Sequence, residues 1–98
     1  MNNSVYLIGR VIKKDRIKEY ANATNKLTFH IKVEDNIIPI LIESTHEYII
    51  GIDKSIYKGS LIGIRGKIAE IGAKLIVKAD KITDLNNYDN KKDTCYSQ

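Results

Sequence analysis

The clearest strand in the chain is residues 27–34, which read LTFHIKVE. Apolar and polar side chains alternate strictly along it, and a period of two is the pattern of a β-strand with one buried face. The members predicted for the core are Leu27, Phe29, Ile31 and Val33. The members predicted for the outer face are Thr28, His30, Lys32 and Glu34. Such a strand needs neighbours to cover its apolar face, and the flanking sequence supplies them on both sides.

The segments on either side of this strand also have the character of strands. Residues 35–36, Asp-Asn, predict a hairpin turn because both residue types tolerate left-handed backbone angles. The predicted return strand covers residues 37–43, and Pro39 within it indicates an edge or a bulge because proline lacks an N–H donor. Upstream, residues 5–13 are apolar on both faces until Gly9, where a glycine favours the bend that a small barrel needs.

The second half of the chain begins with a predicted helix. Ser44 and Glu47 form a capping-box pattern, which predicts a helix start with Ser44 as N-cap. The apolar residues that follow at helical spacing are Tyr48, Ile49, Ile52 and Ile56. Gly59 is a natural residue just beyond a helix end. Two more strands are predicted at residues 60–71 and 74–85, joined by a short turn.

The order of elements is therefore three strands, one helix and two strands. This is the order of an OB-fold barrel, in which the helix closes one end. We predict an all-β fold, a five-stranded OB-fold Greek-key barrel with one helix between strands 3 and 4. The length of 98 residues fits a single domain, placed at residues 1–85. Residues 86–98 are polar and unpatterned, and a disordered tail is expected there.

Composition and charge exclude several classes of protein. The net charge of +4 and the pI near 9.2 are compatible with an anionic partner such as nucleic acid. The single cysteine, Cys95, permits no intramolecular disulfide and no cysteine-based metal site. His30 and His46 stand in no catalytic or metal-binding motif, so no enzyme, metal, cofactor or small-molecule substrate is expected. No signal-peptide pattern and no membrane-spanning apolar run is present, which predicts a cytoplasmic protein without membrane contact.

Several segments resemble the family of bacterial single-stranded DNA-binding proteins, in the order in which that family carries them. Residues 3–10, NSVYLIGR, resemble its opening strand, and residues 57–68, YKGSLIGIRGKI, resemble the block after its helix. Residues 14–20 and 27–31 resemble the segments between these two, although Arg16 stands where the family usually has a proline. The resemblance implies an OB fold that binds single-stranded DNA, with RNA as an alternative, without sequence specificity in replication, recombination or repair.

The chain differs from the family at the positions where the resemblance implies contacts with bases. The family stacks bases on aromatic side chains of its third strand and of its hairpins. Here residues 37–43 contain no aromatic, Glu43 lies near the place of a stacking phenylalanine, and the chain has no tryptophan. Both hairpins are short, and residues 86–98 lack the acidic tip that recruits other proteins. We therefore expect weak, strongly salt-dependent binding carried by phosphate contacts.

The candidate binding residues are mostly basic side chains on strand faces. The residues expected to contact nucleic acid are Arg10, Lys13, Tyr20, His30, Lys32, Arg65, Lys67, Lys74 and Lys78. Among the aromatics, Phe29 is predicted to be core, Tyr48 to pack between helix and barrel, and Tyr57 to pack at the helix end. Tyr6 and Tyr20 are the only stacking candidates. The resemblance also implies a homodimer or homotetramer built by pairing of first strands. The residues expected at that interface are Val5, Tyr6, Leu7 and Ile8.

A second function remains open at this point. A barrel that has lost its stacking residues can instead be a protein-interaction or primosome-type module with little affinity for nucleic acid. Substitution of Arg65 and Lys67 by glutamate separates the two hypotheses, because it removes phosphate contacts and leaves a protein interface intact.

Overall fold

The structure, a computed structural model, describes residues 3–19 and 24–86. The described chain forms strands and one helix in the predicted order, with one additional short strand. Their bounds are β1 (Ser4–Lys14), β2 (Lys18–Glu19), β3 (Thr24–Val33), β4 (Asn36–Thr45), α1 (His46–Ser55), β5 (Leu61–Ile71) and β6 (Lys74–Asp84).

The five long strands close into a barrel. The strands follow one another around it as β1, β5, β6, β4 and β3, and pairing of β1 with β3 closes the circle. The β4–β6 contact is parallel and the other pairings are antiparallel. With α1 between the third and fourth long strands, this is an OB fold, so the predicted fold class is confirmed. The two-residue β2 adds a short pairing with the start of β3.

The core is aliphatic apart from a single aromatic ring. Phe29 is fully buried, as its alternating strand predicts. Ten apolar side chains surround it and complete the core: Val11, Leu27, Ile31, Ile40, Ile42, Ile49, Ile56, Ile62, Ile64 and Val77. The inward faces of the strands and one face of α1 contribute these side chains, so the helix closes one end of the barrel.

Strand β1 passes from one half of the barrel to the other. Ser4–Arg10 pairs with β5, and Arg10–Lys14 pairs with β3, with a register shift between Val11 and Lys13. Gly9 lies where the two halves meet. A Cβ at this position would lie 2.5 Å from the Lys32 carbonyl oxygen, so only glycine permits the approach of β1 to β3. The requirement for glycine here is thus steric, and the irregularity of β1 lies further along, between Val11 and Lys13.

Two predicted boundaries are wrong by one residue. The helix N-cap is Thr45, not Ser44, because the Thr45 side chain accepts the Tyr48 N–H. The first hairpin turn is Glu34-Asp35, not Asp35-Asn36, and Asn36 pairs with Val33. Glu34 takes the positive φ of 56° that a two-residue hairpin requires.

The predicted proline, turn and tail have these positions in the structure. Pro39 lies opposite His30 of β3. The pairing of β4 with β6 begins only at Ile40, so no backbone N–H is needed from Pro39 on the side that faces β6. The second hairpin turn is Gly72-Ala73, with Gly72 at a φ of 64°. Asn86 is tied to the barrel, since its side-chain oxygen accepts the Leu61 N–H. The remainder of the expected tail, residues 87–98, lies outside the described residues.

The end of α1 is held by a lysine from β1. The Lys14 ammonium donates to the carbonyl oxygens of Asp53 and Ile56 at 2.8 and 3.0 Å, and it lies 3.1 Å from the Asp53 carboxylate. A cation at this place satisfies the free carbonyls at a helix C-terminus. In the described part of the chain, α1 is too short to cross a membrane and no other helix is long enough.

Candidate nucleic-acid interface

Four of the predicted basic residues meet where β1 and β3 close the barrel. Arg10 lies opposite Lys32, and Lys13 lies opposite His30, in the antiparallel register of the two strands. Residues directly opposite in such a pair have Cβ atoms about 4.5–5.5 Å apart. We call Arg10, Lys13, His30 and Lys32 the seam cluster. The sequence predicted each of these residues, and the strand register brings them together.

The seam cluster concentrates positive charge without balancing it. Arg10, Lys13 and Lys32 are exposed. None of the three forms an ion pair with a carboxylate within residues 3–19 and 24–86. Like charges opposite each other on a sheet are destabilising, so this arrangement costs stability in the free protein. An anion bound across the seam would remove that cost.

Arg10 is also connected to the loop that follows the helix. Its guanidinium donates to the Gly59 carbonyl oxygen at 3.0 Å. His30 is half-buried, and its Nδ1 atom is buried without a hydrogen-bond partner among the described residues. A nitrogen of this kind beside three cations is the least satisfied polar atom of the cluster.

Three of the other predicted basic residues, Arg65, Lys67 and Lys78, belong to a second group on the β5–β6 hairpin. Lys67 lies opposite Lys78, and Arg65 lies opposite Lys81, which sequence reasoning did not select. We call Arg65, Lys67, Lys78 and Lys81 the arm cluster. It differs from the seam cluster because the Arg65 Nε donates to the Asp80 carboxylate at 2.7 Å. Asp80 is the residue without a partner at the register shift between Arg65 and Gly66, and its carboxylate lies next to the guanidinium.

The two clusters do not form one continuous stripe. On β1 the arm cluster reaches Tyr6, which lies opposite Arg65, and the seam cluster begins at Arg10. Four residues of strand separate these points by about 13 Å. Lys74 lies beside the Gly72-Ala73 turn at the hairpin tip and joins neither cluster. Tyr20 lies outside the described residues.

The tyrosines are more exposed than the sequence predicts. Tyr57 is 66% exposed and Tyr48 42% exposed, so the predicted packing of Tyr48 between helix and barrel and of Tyr57 at the helix end is wrong. The helix needs only Ile49, Ile52 and Ile56 to cover the barrel end, and the tyrosine rings stay outside. Tyr6 is 58% exposed and lies over Gly63, where a side chain would collide with its hydroxyl.

The residues expected at an oligomer interface divide between the two faces of β1. Tyr6 and Ile8 point outward and are 58% and 51% exposed. Val5 and Leu7 point inward and pack against the core. Within the described residues, the stretch from Val5 to Gly9 pairs with β5 on one side and has no strand on the other. An outward apolar face and an open strand edge therefore occur together in this half of β1.

Val5 and Leu7 also line an apolar groove at the barrel end away from α1. The groove opens between β1, the start of β4 and the β5–β6 hairpin. Its other lining residues are Ile38, Ile68, Leu75, Ile76 and Val77. Ile68 is 44% and Leu75 64% exposed, because β5 and β6 continue past the end of β1. Ile62 and Ile64 of the same strand are fully buried, so the apolar side chains of β5 are covered only inside the barrel.

The seam cluster has the chemistry of an anion-binding surface. Across the described ranges, no three histidine, cysteine, aspartate or glutamate side chains come together as metal ligands do. The cations of the seam cluster are suited instead to oxyanions such as phosphate.

Comparisons with known proteins identify the fold. No family model and no curated protein matches the chain. Among solved structures, the protein priB from Ralstonia solanacearum is similar with a TM-score of 0.71 and 11% identity, over 86% of this chain and 99% of that one. The SSB domain of a protein from Synechococcus sp. is similar with a TM-score of 0.75 and 7% identity, over 85% and 96% of the two chains.

A mitochondrial single-stranded DNA binding protein from S. cerevisiae, Rim1, is similar with a TM-score of 0.68 and 19% identity, over 87% of this chain and 97% of that one. At such low identity these likenesses show a shared fold. The resemblance to single-stranded DNA-binding proteins is therefore confirmed at the level of the fold, and the activity has to be argued from the surface.

Proposed function

We propose that this protein binds single-stranded DNA without sequence specificity, in replication, recombination or repair, and that phosphate contacts of the seam cluster carry the binding. The observation that carries the proposal is the opposition of Arg10 and Lys32 across the β1–β3 closure without a carboxylate partner in the described chain. Proteins named for single-stranded DNA binding share the fold. Binding without sequence specificity can be carried by contacts between basic side chains and phosphates.

The affinity is expected to be modest because the aromatic contribution is small. Each base stacked on an aromatic side chain contributes about 1–3 kcal/mol in proteins of this kind. The outer face of β4 offers Ile37, Pro39 and Leu41 instead of aromatic rings, and Leu41 is only 8% exposed. Binding therefore depends mainly on counterion release and weakens steeply as salt is added.

A direct test is a fluorescence-anisotropy titration of labelled oligo-dT at 50 and 200 mM salt, with a duplex of the same length as comparison. We expect saturable binding at low salt that weakens by about tenfold or more at high salt, since each single-strand phosphate contact contributes about 0.7 to the salt slope. Absence of binding at the lower salt, or preference for the duplex, would overturn the proposal. The same titration with oligo-U measures the preference for DNA over RNA.

We further propose that the protein is a cytoplasmic homodimer or homotetramer joined through the first half of β1. The outward side chains Tyr6 and Ile8 and the open strand edge support this pairing. An Ile8→Lys variant is the cleaner test, because Val5 and Leu7 pack against the core and their replacement would also disturb the fold. Light scattering is expected to give a smaller particle for Ile8→Lys, and an unchanged mass would refute the pairing.

Protein interaction remains the second candidate function, and the apolar groove beside Val5 favours it. A groove lined wholly by aliphatic side chains at the barrel end is a surface that proteins commonly use for partners. An Arg10→Glu, Lys32→Glu variant that keeps all cellular interactions of the wild type would favour this second function. Loss of single-strand binding in that variant favours the first.

A further inference from the structure

We infer that Tyr57, on the loop between α1 and β5, is a nucleobase-stacking site that extends the seam cluster. The inference rests on the proposed function, because it adds base stacking to the surface whose basic side chains are proposed to bind phosphates. The stacking site then lies in the loop after the helix, and not on the third strand or the two hairpins, where the resemblance places aromatic side chains. The ligand class is a base of a single strand whose phosphates lie on Arg10 and Lys32.

The first observation is the exposure of the ring. Tyr57 is 66% exposed, the highest value among the large apolar and aromatic side chains that the structure describes. Its neighbour Ile56 is 1% exposed and Ser60 is 5% exposed, so the loop is anchored at both ends while the ring faces solvent. A flat face of this kind can receive any base, because every base has a π-face.

The second observation is the rigidity of the loop backbone. The Tyr57 N–H donates to the Ser60 hydroxyl at 2.7 Å, and the Ser60 N–H donates to the Tyr57 carbonyl at 2.8 Å. The Gly59 N–H donates to the Val11 carbonyl at 2.6 Å, and the Val11 N–H donates to the Ser60 carbonyl at 2.9 Å. A ring carried on a fixed backbone loses little entropy on binding, which makes it an efficient contact.

The third observation is the position of the loop relative to the cations. Arg10 donates to the Gly59 carbonyl on one side and lies opposite Lys32 on the other. The order across the barrel is therefore Lys32, Arg10 and then the loop with Tyr57 and the exposed Lys58. Two cations and an aromatic ring therefore lie on adjacent elements, and proteins that bind single strands combine these two kinds of contact, cations for the backbone and aromatic rings for the bases.

The experiment compares Tyr57→Ala and Tyr57→Phe with the wild type in binding to labelled oligo-dT and to an abasic strand of the same length. Tyr48→Ala is the matched control, since Tyr48 is also exposed and lies in the first turn of α1, whereas Tyr57 follows its C-terminal end. Thermal unfolding of each variant confirms that the barrel is intact.

We expect Tyr57→Ala to weaken binding to oligo-dT by about 5- to 150-fold, which is the range for loss of one stacked base. Binding to the abasic strand should change by less than about twofold, because phosphate contacts alone remain there. Tyr57→Phe should bind both strands as the wild type does, and Tyr48→Ala should too.

Two results would overturn the inference. Unchanged affinity of Tyr57→Ala for oligo-dT would show that no base stacks on this ring, while the proposed single-strand binding would stand. An equal loss on the abasic strand would show a phosphate or structural role instead. If the wild type fails to bind either strand at low salt, the proposed function fails, and this inference fails with it.

Discussion

The barrel carries two clusters of basic side chains on its outer face, and they differ in how their charge is balanced. In the seam cluster, Arg10 and Lys32 lie opposite each other and no described carboxylate pairs with them. In the arm cluster, Arg65 is paired with Asp80 at 2.7 Å. Both clusters consist of basic side chains that lie opposite one another on neighbouring strands. Strand register and local pairing therefore decide whether such charge is available to an anion.

The largest expected difference between the clusters is in binding affinity. Arg10→Glu with Lys32→Glu should weaken oligo-dT binding by about 100-fold or more, since two charged hydrogen bonds contribute about 1.5 kcal/mol each. Arg65→Glu with Lys67→Glu should change affinity by less than about tenfold, because the Arg65 charge is already compensated at an exposed position. Anisotropy titrations at 50 mM salt measure both. Equal losses of oligo-dT affinity in the two variants would contradict the proposed difference between the seam cluster and the arm cluster.

The glycines at the two places test the same distinction through the backbone. Gly9→Ala would push β1 from the Lys32 carbonyl, and Gly66→Ala would push β5 from the Lys78 carbonyl. We expect each to lower the free energy of unfolding by about 2 kcal/mol, as overpacking does. Only Gly9→Ala should also reduce oligo-dT affinity at temperatures where the protein is folded. A comparable affinity loss in Gly66→Ala would mean that the arm contributes to the binding surface.

Two adjacent lysines of β1 separate a structural cation from a binding cation. Lys14→Met should lower the free energy of unfolding by about 1.5 kcal/mol, because two helix carbonyls and Asp53 lose their charged partner. Its single-strand affinity should stay unchanged. Lys13→Met should have the opposite profile, with normal stability in urea denaturation and weaker oligo-dT binding. A stable Lys14→Met variant would contradict the assigned role of this lysine at the helix end.

The smallest expected effects concern the repulsion between opposed lysines and arginines. Lys32→Gln and Lys67→Gln should each stabilise the free protein by about 0.3 kcal/mol, because like charges directly opposite on a sheet repel each other. Lys32→Gln should also weaken oligo-dT binding, whereas Lys67→Gln should leave it nearly unchanged. Urea denaturation and anisotropy measured on the same samples provide both values.

Much of the fold could be predicted from the sequence because its signals are local. The alternation around Phe29 predicts the buried face of β3, and the spacing of Ile49, Ile52 and Ile56 predicts the helix that closes the barrel. The N-cap and the first turn were each misplaced by one residue. Adjacent Ser44 and Thr45 are equivalent as caps, and Glu34 adopts a positive φ that its residue type disfavours.

The candidate interface could be predicted only as a set of residue types. The sequence shows that Arg10 and Lys32 are basic and near strand ends, but their opposition depends on the register of two strands far apart in the chain. The ion pair of Arg65 with Asp80 depends on a register shift in the same way. The sequence predicts packing for Tyr57 at the helix end, but the ring is 66% exposed and only isoleucines of α1 and its C-cap reach the core.

The salt dependence of oligo-dT binding tests the central claim most directly. With three or four phosphate contacts, a plot of log affinity against log salt concentration should have a slope of about −2 to −3 for the wild type. Neutralising the opposed pair in Arg10→Gln, Lys32→Gln should make that slope shallower by about 1.4, and neutralising Lys67 and Lys78 should leave it unchanged within error. A slope that is the same in the wild type and the Arg10→Gln, Lys32→Gln variant would contradict the claim that phosphates bind at the closure of the barrel.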